Sequence, residues 1–399
     1  AADYETAIAL FTKAVEADPK HPTAWINLGR CYIYAKNAEA ALAPLRKQTE
    51  LNPYDEVAYF YIGSAYVLQH KYAEAETAFN KQLEINPLDK YTPGALGAMY
   101  VEQRDYQKAA AAYEKSVAVN ATQAGPHVQL GKAYMNLHRA DDARKEFSRA
   151  VEISPTPLTW NDVAYELSLG SVDLDTAQRY AESAVAAETA ASRNLDLDHV
   201  DARALGVVNS LAAYWDTLGW VFFAKGDLAQ AEKYVAASWR LAQHAEVGDH
   251  LAQIYEKRGR KADAIAQFAA ALAAENPAQL VREHLVALAG PAVKADALAA
   301  EHKHDLEAAR TIPVDLKGPA GTKADVAVLL SAPNVVDGVR FIDGDKDLAA
   351  AAAALKSLPL DGAFPSDSQA RLLRRGTLSC GTGVCTLTLV PPADAKPVK

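Results

Sequence analysis

Trp25-Ile-Asn-Leu-Gly-Arg-Cys-Tyr32 returns 34 residues later as Tyr59-Phe-Tyr-Ile-Gly-Ser-Ala-Tyr66, with an aromatic, an aliphatic, a glycine and a tyrosine in matching places. The same frame recurs as Leu96, Gly97 and Tyr100, as Leu130, Gly131 and Tyr134, and as Trp215, Leu218, Gly219 and Phe222, with a degenerate copy ending at Tyr255. A second frame is interleaved with it. Ala7, Phe11, Ala14 and Pro19 align with Ala75, Phe79 and Pro87, and with Ala143, Phe147, Ala150 and Pro155, while Ala41, Leu45 and Pro53, then Ala109 and Tyr113, fill the units between. Positions three and four apart share a helix face, so Trp25, Leu28 and Tyr32 form one apolar stripe that must be covered. The prolines stop the second helix of each pair. One such hairpin cannot bury its stripe alone, so neighbours must stack.

This pattern resembles the tetratricopeptide repeat (TPR) family, whose signature is an aromatic residue, Leu-Gly and Tyr on one helix, then Ala, Phe and Pro on and after the next. The resemblance implies a mainly α fold: a right-handed solenoid of about eight helical hairpins over residues 1–277. Gly29 and Ala41 are expected to be small because two antiparallel helices approach closely there. The chain opens in the second half of a unit, so the first hairpin reads as incomplete, with Ile8, Phe11 and Val15 expected to face water. Trp160, Val163 and Ala164 begin another hairpin, with Ala177 and Ala184 in its second helix. An irregular insertion over about 189–210 then breaks the register, and Asn194-Leu-Asp-Leu-Asp198 reads as a loop that meets a ligand, as part of an elongated helix or as a disordered insertion.

Composition sets limits on function. Of 399 residues, 50% are apolar and 23% charged, with a net charge of −9. A buried core is assured and disorder excluded. The acidic balance and the single short arginine cluster argue against nucleic acid as a partner. The longest small-apolar run, Leu348 to Leu355, falls far short of the ~20 residues of a transmembrane helix. No secretion signal can be read in the first residues.

In TPR proteins the first helices line a concave surface that holds a partner, and one subset clamps a terminal carboxylate with Lys and Asn. The corresponding residues here are Ile26 and Arg30, Phe60 and Ser64, Gly94 and Ala98, Val128 and Lys132, Asp216 and Trp220. That clamp is absent. The lining is instead aromatic and aliphatic, and Ile26, Arg30, Tyr34, Phe60, Val67, Lys132, Trp220 and Phe223 are the candidate partner-binding residues, suited to an apolar or amphipathic segment.

After Pro277 the repeat fades into two capping helices, 278–312, and a small α+β domain, 313–399, beyond a boundary marked by Pro313 to Gly321. Its order reads strand, strand, helix, strand, strand: 324–330, 336–342, an alanine-rich helix to about Leu358, then Arg371–Cys380 and Val384–Val390 as a hairpin. Cys380 and Cys385 share the apolar parity, and the turn Gly381-Thr-Gly383 brings them back together. A disulfide is expected there, in an oxidising compartment, periplasmic or extracellular, with a cytoplasmic one left open. Cys31 reads as a buried free thiol. Arg371, Arg374 and Arg375 read as strand decoration that discourages edge pairing.

Other motifs carry little. His302 and His304 point ~200° apart on a helix, which does not make a metal site. Asp343-Gly-Asp345-Lys-Asp347 lacks the closing Glu of a calcium loop. Asn120-Ala-Thr122 is a sequon only in a secreted chain. Neither a cofactor nor a metal is implied. The run Leu218-Gly-Trp-Val-Phe-Phe-Ala-Lys-Gly226, followed by Arg374-Arg-Gly-Thr-Leu-Ser-Cys380, is similar to the C-terminal half of bacterial envelope TPR proteins that carry a transglutaminase-like domain upstream, whose catalytic residues would then precede Ala1. The reading favours a non-enzymatic scaffold that binds a protein or peptide partner. Two alternatives stand beside it: head-to-tail self-assembly with further copies of the chain, and the non-catalytic part of such an envelope protein.

Overall fold

The computed structural model describes residues 3–316, 318–332, 335–353, 355–356, 358, 364–382 and 384–398. Its contacts divide the chain into two compact units, Ala1–Pro155 and Thr156–Lys399.

In the first unit a single helix, α1 (Tyr4–Ala17), precedes four hairpins: α2 (Ala24–Tyr34) with α3 (Ala38–Leu51), α4 (Ala58–Leu68) with α5 (Tyr72–Ile85), α6 (Thr92–Glu102) with α7 (Tyr106–Val119), and α8 (Ala124–Asn136) with α9 (Ala140–Ile153). Within each hairpin the repeat glycine is where the two helices meet. A Cβ at Gly63 would lie 2.5 Å from the Phe79 ring, and Gly29, Gly97 and Gly131 face Leu45, Tyr113 and Phe147 in the same way. Each first helix ends on a residue in the left-handed region, Lys36, His70, Arg104 or His138, at φ of 56–58°. There the following amide closes back on the helix, as Asn37 N does on Tyr32 O at 2.9 Å, the αL helix ending that favours glycine.

Polar staples join one repeat to the next. The buried Gln48 amide donates to Pro22 O and to Asp55 Oδ2, both at 2.8 Å. Asp55 in turn accepts from the Ala58 amide at 2.9 Å and so caps α4. One period later Gln82 donates to Glu56 O and to Asp89 Oδ2, and Asp89 caps α6 by accepting from Thr92 N at 2.7 Å. Asn120, the sequon residue, is buried and donates to Lys90 O at 2.8 Å. The expectation that Ile8, Phe11 and Val15 face water is corrected: α2 packs on α1, burying Val15 and half-burying Ile8 and Phe11 against Ala24 and Leu28.

The second unit begins with hairpins α10 (Pro157–Leu169) with α11 (Leu174–Ser192) and α12 (Ala202–Lys225) with α13 (Leu228–Ala242). It continues with α14 (Ala245–Lys257) and α15 (Lys261–Ala273), then α16 (Gln279–Ala289) and α17 (Ala295–Ala308). The insertion is mostly helix, because α11 and α12 are extended to 19 and 24 residues. The short connection between them is held down by the sheet: Arg340 donates to Leu197 O at 2.8 Å and Arg371 to Arg193 O at 3.3 Å. Leu195 and Val200 of that connection are buried in the same core as the strands.

The sheet comprises β1 (Thr311–Val314), β2 (Lys323–Ser331), β3 (Val335–Gly344), β4 (Arg371–Cys380) and β5 (Cys385–Leu389), with α18 (Asp347–Ala353) between β3 and β4. Strand order is β1-β5-β4-β2-β3, every neighbour antiparallel. The sequence reading lacked β1, a four-residue strand containing Pro313, which leaves no alternation to detect. Of the expected turn Gly381-Thr-Gly383, Gly383 lies outside the described residues, as do Lys317 in the expected boundary and Ala354 and Ser357 in the expected alanine-rich helix.

Strand β4 packs on α12 and α11, and Trp215 on α12 meets Phe364 edge-on at 6.2 Å. The sheet and the α12–α13 hairpin therefore share one core, which includes Val208, Leu211, Val328, Leu373 and Leu387. Cys380 and Cys385 are register partners joined by a disulfide. Cys31 is a free, buried cysteine whose thiol is pushed up by burial.

The arginine reading is corrected. Strand β4 is interior to the sheet, and Arg374 is 3% exposed, donating to Val390 O at 3.0 Å. Burial, then the neighbouring Arg310, pushes Arg374 down to about 10. Arg371 pairs with Asp337 at 2.6 Å.

Candidate functional site

Successive first helices touch, α2 on α4 and α4 on α6, while successive second helices come less close. The first-helix layer of the first unit is therefore the inner one, and most of the sequence candidates belong to it.

The structure gathers some of those residues and separates others. Ile26 is buried among Ala41, Leu45, Ala58 and Ile62, so it is core. Arg30 is exposed, and Tyr34 is 52% exposed. Both hydrogen-bond to Tyr61, whose phenol is pushed up by burial first and then by Tyr34. Phe60, half-buried, joins a ring cluster with Tyr61 at 5.2 Å, Phe79 at 6.0 Å and Tyr91 at 6.2 Å. Tyr4 on α1 lies 5.9 Å from Tyr34. Val67 is half-buried one helix turn beyond Ser64, and Lys132 is half-buried on α8. Arg30, Tyr34 and Phe60 thus belong to one aromatic surface with a cation at its edge. Tyr61 and Tyr91, which the sequence reading omitted, complete it. Their signal was available: Tyr61 follows a candidate directly, and Tyr91 occupies the place of Val57 one period on.

Among charged groups on α2, α4 and α6 the inner layer carries Arg30 and, at the end of α6, Glu102, which accepts from the Tyr72 hydroxyl at 3.2 Å. Such a surface suits a segment with apolar side chains and an acceptor or negative charge to meet Arg30.

Trp220 and Phe223 belong to the second unit and are placed differently. Trp220 is only 9% exposed. It is sandwiched between Phe223 at 4.6 Å and the imidazole of His250 at 4.0 Å, both nearly parallel to it. It packs within the unit and is not an open platform. His250 pairs with Asp216, and neither was singled out for that role from the sequence; their separation of 34 residues was the missed signal.

Among the described residues no group of three or more His, Cys, Asp or Glu side chains could hold a metal ion, and no helix is long and apolar enough to cross a membrane. His302 bonds to Asp305 on its own helix at 3.0 Å.

Comparison with known proteins follows the same lines. Residues 1–53 and 100–161 match one tetratricopeptide repeat family model, and residues 57–87 match another. The chain is similar in fold to a tetratricopeptide repeat protein from Parabacteroides merdae, at 14% identity and a TM-score of 0.50, covering 67% of this chain and 98% of that one. It is similar to yeast Tom70 at 17% identity and a TM-score of 0.50, covering 75% of this chain and 59% of that one. YrrB, described as a TPR protein with an unusual peptide-binding site, is 23% identical over 44% of this chain and 91% of its own, with a TM-score of 0.36. No curated protein matches the chain. The chain carries tetratricopeptide repeats, within a mainly helical solenoid fold that ends in a small antiparallel sheet.

Proposed function

We propose that the chain is a non-enzymatic scaffold and that the inner layer of its first unit receives a partner polypeptide. The observation that carries this reading is the half-open surface of Arg30, Tyr34, Phe60 and Tyr61 on two consecutive first helices, with Tyr91 at the cap of the third. Aromatic and arginine side chains are the residues that most often dominate binding energy when a partner covers them. The bound segment is extended or helical, places apolar side chains on Phe60 and Tyr91, and sets an acidic group against Arg30. Trp220 supports the second unit from within and takes no direct part.

Peptides selected from a random display library on the whole chain test this. Arg30→Glu combined with Tyr34→Ala is expected to weaken the selected peptides at least tenfold, as one hot-spot interaction of about 1.4 kcal/mol requires. Circular dichroism should remain unchanged, because both side chains are exposed. Equal binding by the variant would remove this surface from the account.

We also infer that the protein works in an oxidising compartment, periplasmic or extracellular, supported by the Cys380–Cys385 bond. The likeness to bacterial envelope proteins with an upstream transglutaminase-like domain rests on its two sequence motifs, Leu218–Gly226 at the end of α12 and Arg374–Cys380 on β4. Alkylation and intact mass of the native protein read both the bond and the length of the chain.

A further inference from the structure

The second unit contains a row of carboxylate–imidazole pairs that the function above does not use. Both oxygens of Asp216 on α12 accept from His250 Nδ1 on α14 at 3.0 Å. Asp216 is 8% and His250 5% exposed. Nearly one period later the buried Asp249 on α14 accepts from His284 Nδ1 on α16 at 2.8 Å, and from the Gln253 amide at 2.7 Å. Three successive first helices are thereby joined by two such pairs. The first is closed on every side. Trp220 of α12 lies flat on the His250 ring, with centroids 4.0 Å apart and planes 18° from parallel. The Tyr165 ring of α10 stands 6.1 Å away, and its hydroxyl donates to Glu246 at 2.7 Å.

The charged and titratable groups around His250 are therefore Asp216 from α12, Tyr165 and its neighbour Glu166 from α10, Glu246 and Asp249 on its own helix, and His284 from α16 through Asp249. Helices α13 and α15 present apolar groups to α14, among them Val235, Trp239, Phe268 and Ala269.

We propose that the Asp216–His250 pair, capped by Trp220, is a proton-operated clamp on the inner layer of the second unit: protonated, it holds α12 and α14 in register, and neutral, it lets them loosen. A carboxylate as buried as Asp216 needs a partner of opposite charge, since leaving it with a neutral one carries the cost of an uncompensated buried charge. An imidazolium against the Trp220 face adds a cation–π attraction that neutral imidazole lacks. Burial by itself pushes the His250 imidazole down, but the charge and hydrogen bond of Asp216, with Glu246 and Asp249, outweigh it, and the net displacement is upward. The sign follows. A histidine whose folded value lies above its unfolded one, about 6.5, contributes stability that is fully present below that value and is lost as pH rises through the folded value. The second unit is thus stiffest below about pH 6.5 and loosens as pH rises through the raised value of His250.

The imidazole resonances of the whole chain, labelled with carbon-13 and assigned with His250→Gln, read the proton directly. His250 is expected to titrate above about 6.5. Amide exchange in α12 and α14, corrected for intrinsic chemistry, is expected to be at least about threefold faster at alkaline than at mildly acidic pH through local opening. Asp216→Asn and His250→Gln should both abolish that dependence while leaving exchange in α4 and α6 unaltered. Titration of His250 at or below the ordinary value, or an undiminished pH dependence in both variants, overturns the clamp. If neither variant folds, the wild-type titration decides.

Discussion

The two units solve the same stacking problem with different chemistry. In the first, Gln48 and Gln82 join consecutive repeats through neutral amides, and the Asp55 and Asp89 carboxylates they touch double as helix caps. In the second, Asp216 with His250 and Asp249 with His284 do the joining. The first unit has its own imidazole–carboxylate contact, His127 with Glu146 at 2.6 Å, but it lies inside one hairpin, between α8 and α9, and links no repeats. Amide staples are indifferent to pH over the range in which imidazoles titrate. The units differ as much in their cores. The repeats of the first bury their stripes only against neighbouring helices, as in a quasi-one-dimensional array. The second adds a sheet to the α12–α13 hairpin, so a single cluster spans residues from Leu195 to Leu389.

That contrast can be broken most sharply in the cores. Phe79→Ala and Trp215→Ala each remove a fully buried ring and should cost about 3–5 kcal/mol. Hydrogen exchange separates them: the first is expected to loosen α4, α5 and the adjoining hairpins alone, whereas the second should deprotect β4 and β2 together with α12 and α13. Equal spreading in both would mean that the first unit is no more modular than the second.

A smaller effect is expected at the staples. Gln82→Ala strands Glu56 O and one oxygen of Asp89, at about 1–3 kcal/mol by urea denaturation. The loss should be the same at pH 6 as at pH 9, unlike that of His250→Gln. A pH-dependent loss at Gln82 would erase the distinction between the units.

The smallest effects concern the helix ends. Where the first unit has Lys36, His70, Arg104 and His138 in the left-handed region, the second has Ser171 after α10 but Gly226 and Gly259 after α12 and α14. Gly226→Lys is expected to cost about 1 kcal/mol, and His70→Gly to gain somewhat less because glycine also loosens the unfolded chain. Thermal melts of the single variants check the signs, and a gain from Gly226→Lys would contradict them.

How far the sequence was legible depended on the range of the interactions. Gly63 against Phe79, and the prolines after α3, α5 and α9, follow from contacts within one period, so the repeat could be read directly. The placement of Arg30, Tyr34 and Phe60 on first helices was legible for the same reason. Ile26 and Trp220 were misplaced, because a position on the inner-facing side of a helix says nothing of what covers it: Ile62 in one case, His250 and Phe223 in the other. Arg374 was misread because an arginine in a strand is ordinarily exposed, and only the strand order puts β4 inside the sheet. The insertion was recognised as a break in register, yet its use as a seat for Arg340 and Arg371 lies more than a hundred residues away in sequence.

By itself, the sequence determined the helical hairpins, their period, the small residues at their crossings and the shared parity of Cys380 and Cys385, since each depends on neighbours within a few turns of helix or strand. Only the tertiary structure decided that the sheet and the elongated α12 share a core, that Asp216 meets His250, and which aromatic side chains stay open. Those outcomes arise from burial and from charge pairing between distant segments, where cost and gain depend on which atoms exclude water, and no local pattern encodes that.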